Sequence, residues 1–420
     1  MNRPSLQPIP LSGIDWMISY VSRKSRCLPE RSNFFSIVLE LACNTTALEQ
    51  LRHTLDQEDL QKLAGGRVKR GLQWYPKWYP AEHNTAGIRL EDEIPCQDWE
   101  AIRDIMLTRP LPSACTVRIT PVRTPQKLIL ACSFSHLLFD GIGAEEFLRK
   151  AAGNGDFHLA ELQYPTTDWQ TIRQAGVKMG NYMKEINQKS ICRIPTPRKE
   201  TAVRYHILRI SAEKLTLLQK KIDQKYGPFS FSIWLLALLL QGMEKQFRKQ
   251  ELPGEYIMIP MSVDLRNKRG LNGSIFFNQW SLMPLTVPRT VLQRTLTETV
   301  QSLRALYMTA LAERVPEMFR DAAEAMRYIP YFGIDPVVRR HPGQTLGTMM
   351  FSYLNSNVSD IFNAQNFYHC PVMPAGCPLG FFVNNCNGLN LTISERGIFR
   401  SDDYTQFVNL FNRTLEEELQ

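Results

Sequence analysis

Residues 127–147 constrain the fold of this chain more than any other stretch. The apolar run over residues 128–134 is typical of a buried β-strand, and it ends in Ser135 and His136. Asp140 and Gly141 follow after three apolar residues, and a helix is predicted to begin shortly beyond them. His136 is therefore predicted at the point where a strand gives way to a loop. A strand end holds an imidazole in place better than a free loop does, and imidazole titrates near neutral pH.

Strand alternation separates the side chains of Ser135 and His136. Successive strand residues point to opposite faces, so His136 shares the bulkier face with Leu128 and Phe134, whereas Ser135 lies on the smaller one. Ser135 is therefore not predicted to be a nucleophile activated by His136. A serine hydrolase is disfavoured further because the sequence lacks a G-x-S-x-G elbow.

The heptapeptide at residues 135–141, Ser-His-Leu-Leu-Phe-Asp-Gly, resembles the His-His-x-x-x-Asp-Gly signature of the chloramphenicol-acetyltransferase-like superfamily. That superfamily includes condensation domains of peptide synthetases, plant-type acyltransferases and wax-ester synthases. Ser135 stands in the first His position, which is a departure from the signature. The resemblance implies that His136 is the general base, that Asp140 is mainly structural and that Gly141 belongs to the catalytic motif.

Two further stretches are similar to recurring segments of the same superfamily. The Pro-Leu-Ser-x-x-Asp start at residues 10–15 is similar to its entry segment. The stretch at residues 260–266 ends in Arg266, and Asn278 follows downstream, as in a strand and short loop of the family. The resemblance implies that Arg266 pairs with Asp140. The alternative is a surface arginine next to Lys268.

A strand predicted at residues 349–357 runs into polar residues. In the superfamily, a strand at this place lines the active-site channel. The resemblance implies a substrate-binding role for Ser352, Asn355 and Ser356, and we group Arg266 with them. An ordinary exit from a strand into a loop is the alternative, and the plant-type Asp-Phe-Gly-Trp-Gly motif is absent from the sequence.

The length of the chain predicts two lobes, because 420 residues exceed the size at which a single hydrophobic core keeps growing. The resemblance implies an α/β (α+β) fold of two chloramphenicol-acetyltransferase-like lobes, each a mixed β-sheet flanked by helices, with a channel between them. We assign residues 1–165 to an N-terminal lobe that carries the His136 motif. Residues 166–200 are assigned to a crossover linker and residues 201–420 to a C-terminal lobe.

Other local patterns predict particular elements. The longest apolar run, residues 229–240, is too short to cross a bilayer and belongs to a buried helix predicted over residues 229–247. Residues 286–311 are predicted to be one helix, and Ser12 and Ser211 are predicted N-caps of two others. We interpret the aromatic near-repeat at residues 74–80 as a packed surface loop, with the lining of a substrate pocket as the alternative.

The charge pattern narrows the range of partners. The net charge is +8, and the basic residues are spread along the chain without a nucleic-acid-binding motif, so no nucleic-acid partner is expected. One basic segment can attract a phosphate-bearing donor, and a solvated linker is the alternative reading of it. Its basic residues are Lys184, Lys189, Arg193, Arg198, Lys199 and Arg204.

Cysteine usage favours a reducing compartment. Nine cysteines without close pairs are typical of reduced thiols in the cytoplasm rather than of a disulfide framework. His369, Cys370, Cys377 and Cys386 lack the close spacing that zinc ligands have, so no metal site is predicted.

These features together predict an acyltransferase. The resemblance implies transfer of an acyl group from a thioester, either acyl-CoA or the pantetheine of an acyl carrier protein, to a hydroxyl or amine of a small-molecule acceptor. His136 would deprotonate the acceptor, and no bound cofactor is expected. The alternative is a catalytically silent binding or docking module of the same fold, because Ser135 already departs from the signature.

Overall fold

The computed structural model describes residues 7–26, 33–43, 46–70, 76–82, 87–112, 115–153, 157, 167–195, 202–270, 274–330, 332–333, 347–358, 360–373 and 377–419. At residues 21–26, 70, 269, 355–357 and 401 the description is limited to the backbone.

The strands, in chain order, are β1 (Ile9–Pro10), β2 (Phe34–Ala42), β3 (Arg67–Arg70), β4 (Pro76–Tyr79), β5 (Ile88–Leu90), β6 (Ile94–Pro95), β7 (Val117–Arg123), β8 (Lys127–Ser135), β9 (Arg204–Ser211), β10 (Tyr256–Asp264), β11 (Trp280–Pro288), β12 (Met350–Asn357), β13 (Asn366–Pro371), β14 (Leu379–Asn385) and β15 (Gly388–Glu395). The α-helices are α1 (Gly13–Arg26), α2 (Ala47–Leu55), α3 (Glu58–Ala64), α4 (Trp99–Thr108), α5 (Gly141–Ala152), α6 (Trp169–Asn187), α7 (Ala212–Tyr226), α8 (Phe231–Lys249), α9 (Arg266–Arg269), α10 (Leu296–Ala312), α11 (Val315–Ala323) and α12 (Ser401–Leu419).

The N-terminal sheet has the strand order β13-β2-β8-β7-β5, and β6 also pairs with β7. One face packs against α2 and α5 through apolar side chains such as Phe35 and Phe134. The other face packs against α4, where Val38 and Ile129 meet Trp99. Because the sheet is covered on both faces, β8 is a nearly continuous apolar run in the sequence.

The C-terminal sheet has the strand order β11-β10-β12-β14-β15-β9. β12 is parallel to β10 and β14, and the other neighbouring pairs are antiparallel. The core on one face is built around α8, whose residues 233–240 are all buried, as expected for a helix that is apolar on all sides. This helix begins at Phe231, because Phe229 is exposed and has a positive φ of 61°.

The helix predicted over residues 286–311 is wrong at its N-terminal end. Residues up to Pro288 form β11, which pairs antiparallel with β10 at an edge of the sheet, where a proline is tolerated. The helix itself, α10, begins after Thr295. Thr295 Oγ1 accepts a hydrogen bond from the Glu298 amide, and the Glu298 carboxylate accepts one from the Thr295 amide at 3.0 Å.

The two predicted N-caps are confirmed. Ser12 Oγ accepts a hydrogen bond from the Asp15 amide at 3.2 Å, and Ser211 Oγ accepts one from the Lys214 amide at 3.4 Å.

The interpretation of the aromatic near-repeat as a packed surface loop is wrong where the structure describes it. Pro76–Tyr79 form β4, which pairs with β1 and β3, and Trp78 is buried there. Residues 74 and 75 lie outside the described residues.

β13 belongs to the second half of the chain but pairs antiparallel with β2 in the N-terminal sheet. The assignment of residues 201–420 to a single C-terminal lobe therefore does not follow the sheets at this strand. The chain leaves the C-terminal sheet after β12, adds one strand to the N-terminal sheet and returns as β14. The two halves of the chain are thus joined by the pairing of β13 with β2.

Side chains of the C-terminal sheet form hydrogen bonds with the backbone at the outer edge of β13, and we call these contacts the seal on β13. Asn390 Nδ2 donates to the Phe367 carbonyl at 3.0 Å, and Ser394 Oγ donates to the Pro371 carbonyl at 2.8 Å. Asn384 Oδ1 accepts a hydrogen bond from the amide of the residue between them at 3.2 Å. An edge strand presents unpaired backbone groups, and these three bonds satisfy them from the facing sheet.

Within the described residues, no single helix is long and apolar enough to cross a membrane, although the bent pair of α7 and α8, at 93° to each other, passes that test jointly. The cysteines that the structure describes are all free thiols, and most of them are buried.

Replacing Asn390 by Ala tests the seal on β13. The change leaves the buried Phe367 carbonyl without its donor, which costs about 1–3 kcal/mol. We expect the free energy of unfolding, measured by urea denaturation, to fall by that amount. Asn412→Ala on the exposed face of α12 is the matched control and should change it by less than about 0.5 kcal/mol. Equal stability of the two variants would show that the seal contributes nothing.

Candidate active site

His136 directly follows β8 in a tight turn. The amide of Phe139 donates to the Ser135 carbonyl at 3.0 Å, and Ser135 Oγ accepts a hydrogen bond from the Leu137 amide at 3.3 Å. The Ser135 hydroxyl therefore serves the backbone of the turn. His136 is half-buried, and its ring packs against Phe35 with 4.7 Å between the ring centroids.

A second segment, residues 274–279, lies along this turn and holds it. The Phe277 amide donates to the Leu138 carbonyl at 2.6 Å, and Asn278 Nδ2 donates to the His136 carbonyl at 2.9 Å. Phe277 is fully buried and has a positive φ of 65°, which a bulky residue adopts only where its surroundings hold it there. The segment leads into β11, so a C-terminal element fixes the turn of an N-terminal motif.

Asn278 is itself fixed by Asp15 of α1. Asp15 Oδ1 accepts hydrogen bonds from both the backbone amide and Nδ2 of Asn278, each at 2.9 Å. Trp280 Nε1 donates to Asn278 Oδ1 and Arg320 Nη1 donates to the Asn278 carbonyl, both at 3.0 Å. Every polar atom of Asn278 is therefore bonded. A saturated, buried amide is rigid, and it holds the His136 carbonyl in one place.

Asp140 joins the motif to the C-terminal half. Its Oδ1 accepts hydrogen bonds from the Gly143 amide at 2.7 Å, which caps α5, and from Arg266 Nη2 at 2.6 Å. Its Oδ2 accepts one from the Gln279 amide at 2.8 Å. The side chains of Asp140 and Arg266 are each only 4% exposed. The predicted pairing of Arg266 with Asp140 is confirmed.

The remaining donors of Arg266 are also used within the protein. Nη1 donates to Asp264 Oδ1 at 2.8 Å and Nε donates to the Ser274 carbonyl at 3.1 Å. Burial alone would lower the pKa of Arg266, but the carboxylates of Asp140 and Asp264 together outweigh it and the pKa is raised. The structure therefore places Arg266 in the contact between the two halves and not, as grouped from the sequence, among substrate-binding side chains.

The two glycines of the motif have different surroundings. A Cβ atom at Gly143 would overlap the carbonyl oxygen of Ile275, so the close approach of α5 to the 274–279 segment requires glycine there. A Cβ atom at Gly141 would lie 3.4 Å from Cε1 of His369 and from Cδ1 of Leu354, which is an ordinary contact. Gly141 therefore borders on these two side chains.

Burial lowers the pKa of His136 to about 4. The Asp140 carboxylate, the Asn278 side chain and the backbone of Phe139 raise the pKa and only partly offset this, while His369 lowers it further. The imidazole is therefore neutral at neutral pH. In the unfolded chain the His136 imidazole has its ordinary pKa of about 6.5. The stability that comes from burying the neutral imidazole is therefore complete above about pH 6.5, and it is lost as the pH falls through the lowered pKa of the folded protein.

The substrate-binding candidates on β12 are only partly described. Ser352 is buried, and strand alternation places it on the same face as Leu354, whose side chain borders on Gly141. Ser352 therefore lies on the face of β12 that meets the motif. The backbones of Asn355 and Ser356 belong to β12, and their side chains lie outside the described residues.

Other residues named from the sequence lie away from this arrangement or outside the description. Lys189 donates to Thr286 Oγ1 at 2.7 Å. Arg198 and Lys199 of the basic segment lie outside the described residues. No group of three or more His, Cys, Asp or Glu side chains in the described part of the chain is arranged to hold a metal ion.

Four residues near His136 have no role that the sequence predicts: Asp15, Asn278, Glu145 and His369. Asp15 stands three positions after Ser12, with which it forms the cap of α1, and this spacing is visible in the sequence. The hydrogen bond between Asp15 and Asn278 is not predictable from the sequence. Asn278 was noted without a role. His369 and Glu145 form a buried pair across 224 positions, and no local pattern could have brought them together.

Replacing Asp140 by Ala tests its structural role. Removing one partner of a buried ion pair leaves the other charge uncompensated and costs about 3–5 kcal/mol. We expect both the unfolding midpoint and the activity to fall, whereas Asp92→Ala in an exposed loop should leave both unchanged. An Asp140→Ala protein that melts like the parent but is inactive would instead assign Asp140 a chemical role.

No family model and no curated protein matches this sequence. Solved structures, in contrast, match over almost its whole length. The trichothecene 15-O-acetyltransferase of Fusarium sporotrichioides superposes with a TM-score of 0.67 at 12% identity, over 98% of this chain and 94% of that one. The first condensation domain of the calcium-dependent antibiotic synthetase superposes with a TM-score of 0.67 at 13% identity, over 99% and 97% of the two chains.

A third match is the condensation domain of the monacolin K polyketide synthase, with a TM-score of 0.60 at 9% identity over 99% of this chain and 97% of that one. Identities this low establish a shared fold and nothing finer. With its two sheets, the helices around them and the crossing strand β13, this chain has the two-lobed fold of the chloramphenicol-acetyltransferase-like condensation-domain superfamily.

Proposed function

We propose that this protein is an acyltransferase that moves an acyl group from a thioester to a hydroxyl or an amine, with His136 as the general base. The observation that carries the proposal is the setting of His136. It is a neutral imidazole at a strand end, its carbonyl is held by Asn278, and the nearby Asp140 ties the two halves of the chain together. The fold, which is that of condensation domains and of an O-acetyltransferase, supports the same chemistry.

The proposed reaction is a direct transfer. His136 Nε2 accepts the proton of the acceptor while the acceptor oxygen or nitrogen attacks the thioester carbonyl carbon. The carbonyl becomes a tetrahedral oxyanion, for which we propose Ser352, together with Asn355 and Ser356, as the hydrogen-bonding group. The C–S bond then breaks, and the imidazolium returns its proton to the leaving thiolate.

The proposed donor is acyl-CoA or an acyl group on the pantetheine of a carrier protein, and the proposed acceptor is a small molecule. Both donors present the same thioester to the site, so the chemistry at His136 is identical for the two. The basic segment at residues 184–204 favours a donor that carries phosphate. A comparison of S-acetyl-4′-phosphopantetheine with S-acetylpantetheine, which differ only by the phosphate, separates that contribution from recognition of the thioester.

A catalytically silent binding module is the second candidate, and the observation that favours it is Ser135 in the first His position of the signature. The Ser135 hydroxyl serves the turn through the Leu137 amide, a role that does not depend on catalysis. A silent site, however, has no need for a neutral imidazole on a residue whose backbone carbonyl is held by a saturated amide. We therefore favour the enzyme.

His136→Ala tests the base directly. A general base typically contributes about 10²–10⁴-fold, so kcat for thiol release should fall by that order. Binding of acetyl-CoA, measured by calorimetry, should change little, because the imidazole acts on the acceptor proton. Ser135→Ala is the neighbouring control and should retain most of the turnover. Full turnover by His136→Ala would reject His136 as the base.

The pH dependence of kcat/KM tests the buried state of the base, because it reports ionisations of the free enzyme. Only neutral His136 accepts a proton, and burial lowers the pKa of His136 to about 4. We expect kcat/KM to stay level as the pH falls through the ordinary imidazole value of about 6.5 and to decline only near the lowered value. A decline centred near 6.5 would show that His136 is solvated in the working enzyme.

A further inference from the structure

A buried imidazole, that of His369, lies close to His136. His369 in β13 and Glu145 in α5 are 3% and 1% exposed, and 2.9 Å separates His369 Nε2 from Glu145 Oε1. Burying an ionisable pair carries a desolvation cost that apolar side chains of similar volume avoid. Packing alone therefore does not account for a histidine and a glutamate at these positions.

Phe35 lies between the two imidazoles. The His369 ring stacks on Phe35 with 6.1 Å between the centroids and only 6° between the ring planes. On the other side, the His136 ring meets Phe35 at 4.7 Å and 48°. His369 lies in β13, Phe35 in β2 and His136 directly after β8, and these three strands are adjacent in one sheet. The orientation of Phe35 is thus coupled to both imidazoles.

Several contacts fix the His369 ring. Glu145 engages Nε2, and Asn384 Oδ1 holds the backbone amide of His369 at 3.2 Å. Gly141 borders on the adjacent edge of the ring, at Cε1 and Nδ1. A ring held at Nε2, at its face and along its Cε1–Nδ1 edge keeps one orientation, and it can therefore hold Phe35 in one orientation.

We propose that Glu145 and His369 are positioning residues for the transfer reaction: the pair fixes Phe35, and Phe35 fixes the orientation of the His136 ring. The inference rests on the proposed function of His136. A general base works only while its lone pair is aligned with the proton that it takes, and a ring free to rotate loses that alignment. His369 contacts the ring stack and acts through Phe35.

The test is the double variant Glu145→Leu/His369→Leu, which replaces the pair by apolar side chains and removes the stacked ring. We expect the variant to fold, since such replacements of buried pairs are often neutral or stabilising. Its kcat for acetyl transfer should fall roughly 10- to 100-fold, and its affinity for acetyl-CoA should stay unchanged. Glu145→Gln keeps a hydrogen-bonding group of the same size at Nε2 and should lose less.

A matched control is available in the C-terminal sheet. His206 in β9 lies 3.6 Å from Glu395 and stacks on Tyr404 at 3.9 Å, so it repeats an imidazole beside a carboxylate and an aromatic ring away from the motif. His206→Leu should leave kcat unchanged. A loss equal to that of the double variant would mean that removing an imidazole anywhere in the sheets lowers turnover through general stability.

A spectroscopic readout separates this inference from the proposed function. In protein labelled with ¹³C at histidine Cε1, the His136 resonance is assigned by its loss in His136→Ala. We expect it to move in the double variant, because the ring-current shift from Phe35 changes when Phe35 is released. An unmoved His136 resonance together with parental kcat would overturn the positioning role. If His136→Ala retained transfer activity, the proposed function would fail, and the resonance alone would still decide whether the pair orients His136.

Discussion

The candidate site depends on the hydrogen bonds and the ion pair that compensate the buried carboxylate of Asp140. A carboxylate removed from water is stable only when charge and hydrogen bonds compensate it. Here Gly143 of its own motif supplies one donor, and Arg266 and Gln279 of the second half supply the others. The charge is therefore compensated only when the two halves dock. This docking also brings Asn278 to the His136 carbonyl.

Burial also lowers the basicity of the imidazole that is proposed as the general base. Removal from water lowers the pKa of His136 to about 4, so the imidazole stays neutral across the whole physiological range. A base with a low pKa is intrinsically weaker than one matched to neutral pH. The proposed transfer reaction therefore relies on the orientation of the imidazole more than on its basicity, which is why the contact of the His136 ring with Phe35 matters for the proposal.

Features set by neighbours along the chain were accessible from the sequence, and features set by distant contacts were not. The strand end before His136 and the Ser211 cap follow from a few adjacent residues. The predicted start of α10 at residue 286 is wrong, although Thr295 and Glu298 have the residue types and the spacing of a capping box. The outer edge of β13, which pairs with β2, is bonded by side chains of the facing sheet, and these contacts are distant along the chain. The family resemblance predicted the pair of Arg266 with Asp140 but not the pair of His369 with Glu145.

A kinetic double-mutant cycle on Asp140 and His136 tests the central claim most directly. The measured quantity is kcat for thiol release from acetyl-CoA in Asp140→Asn, His136→Ala and the double variant, each checked for folding. If Asp140 acts only by holding the turn that presents His136, the double variant will be no slower than His136→Ala alone. Losses that multiply in the double variant would contradict this, because Asp140 would then contribute chemistry of its own.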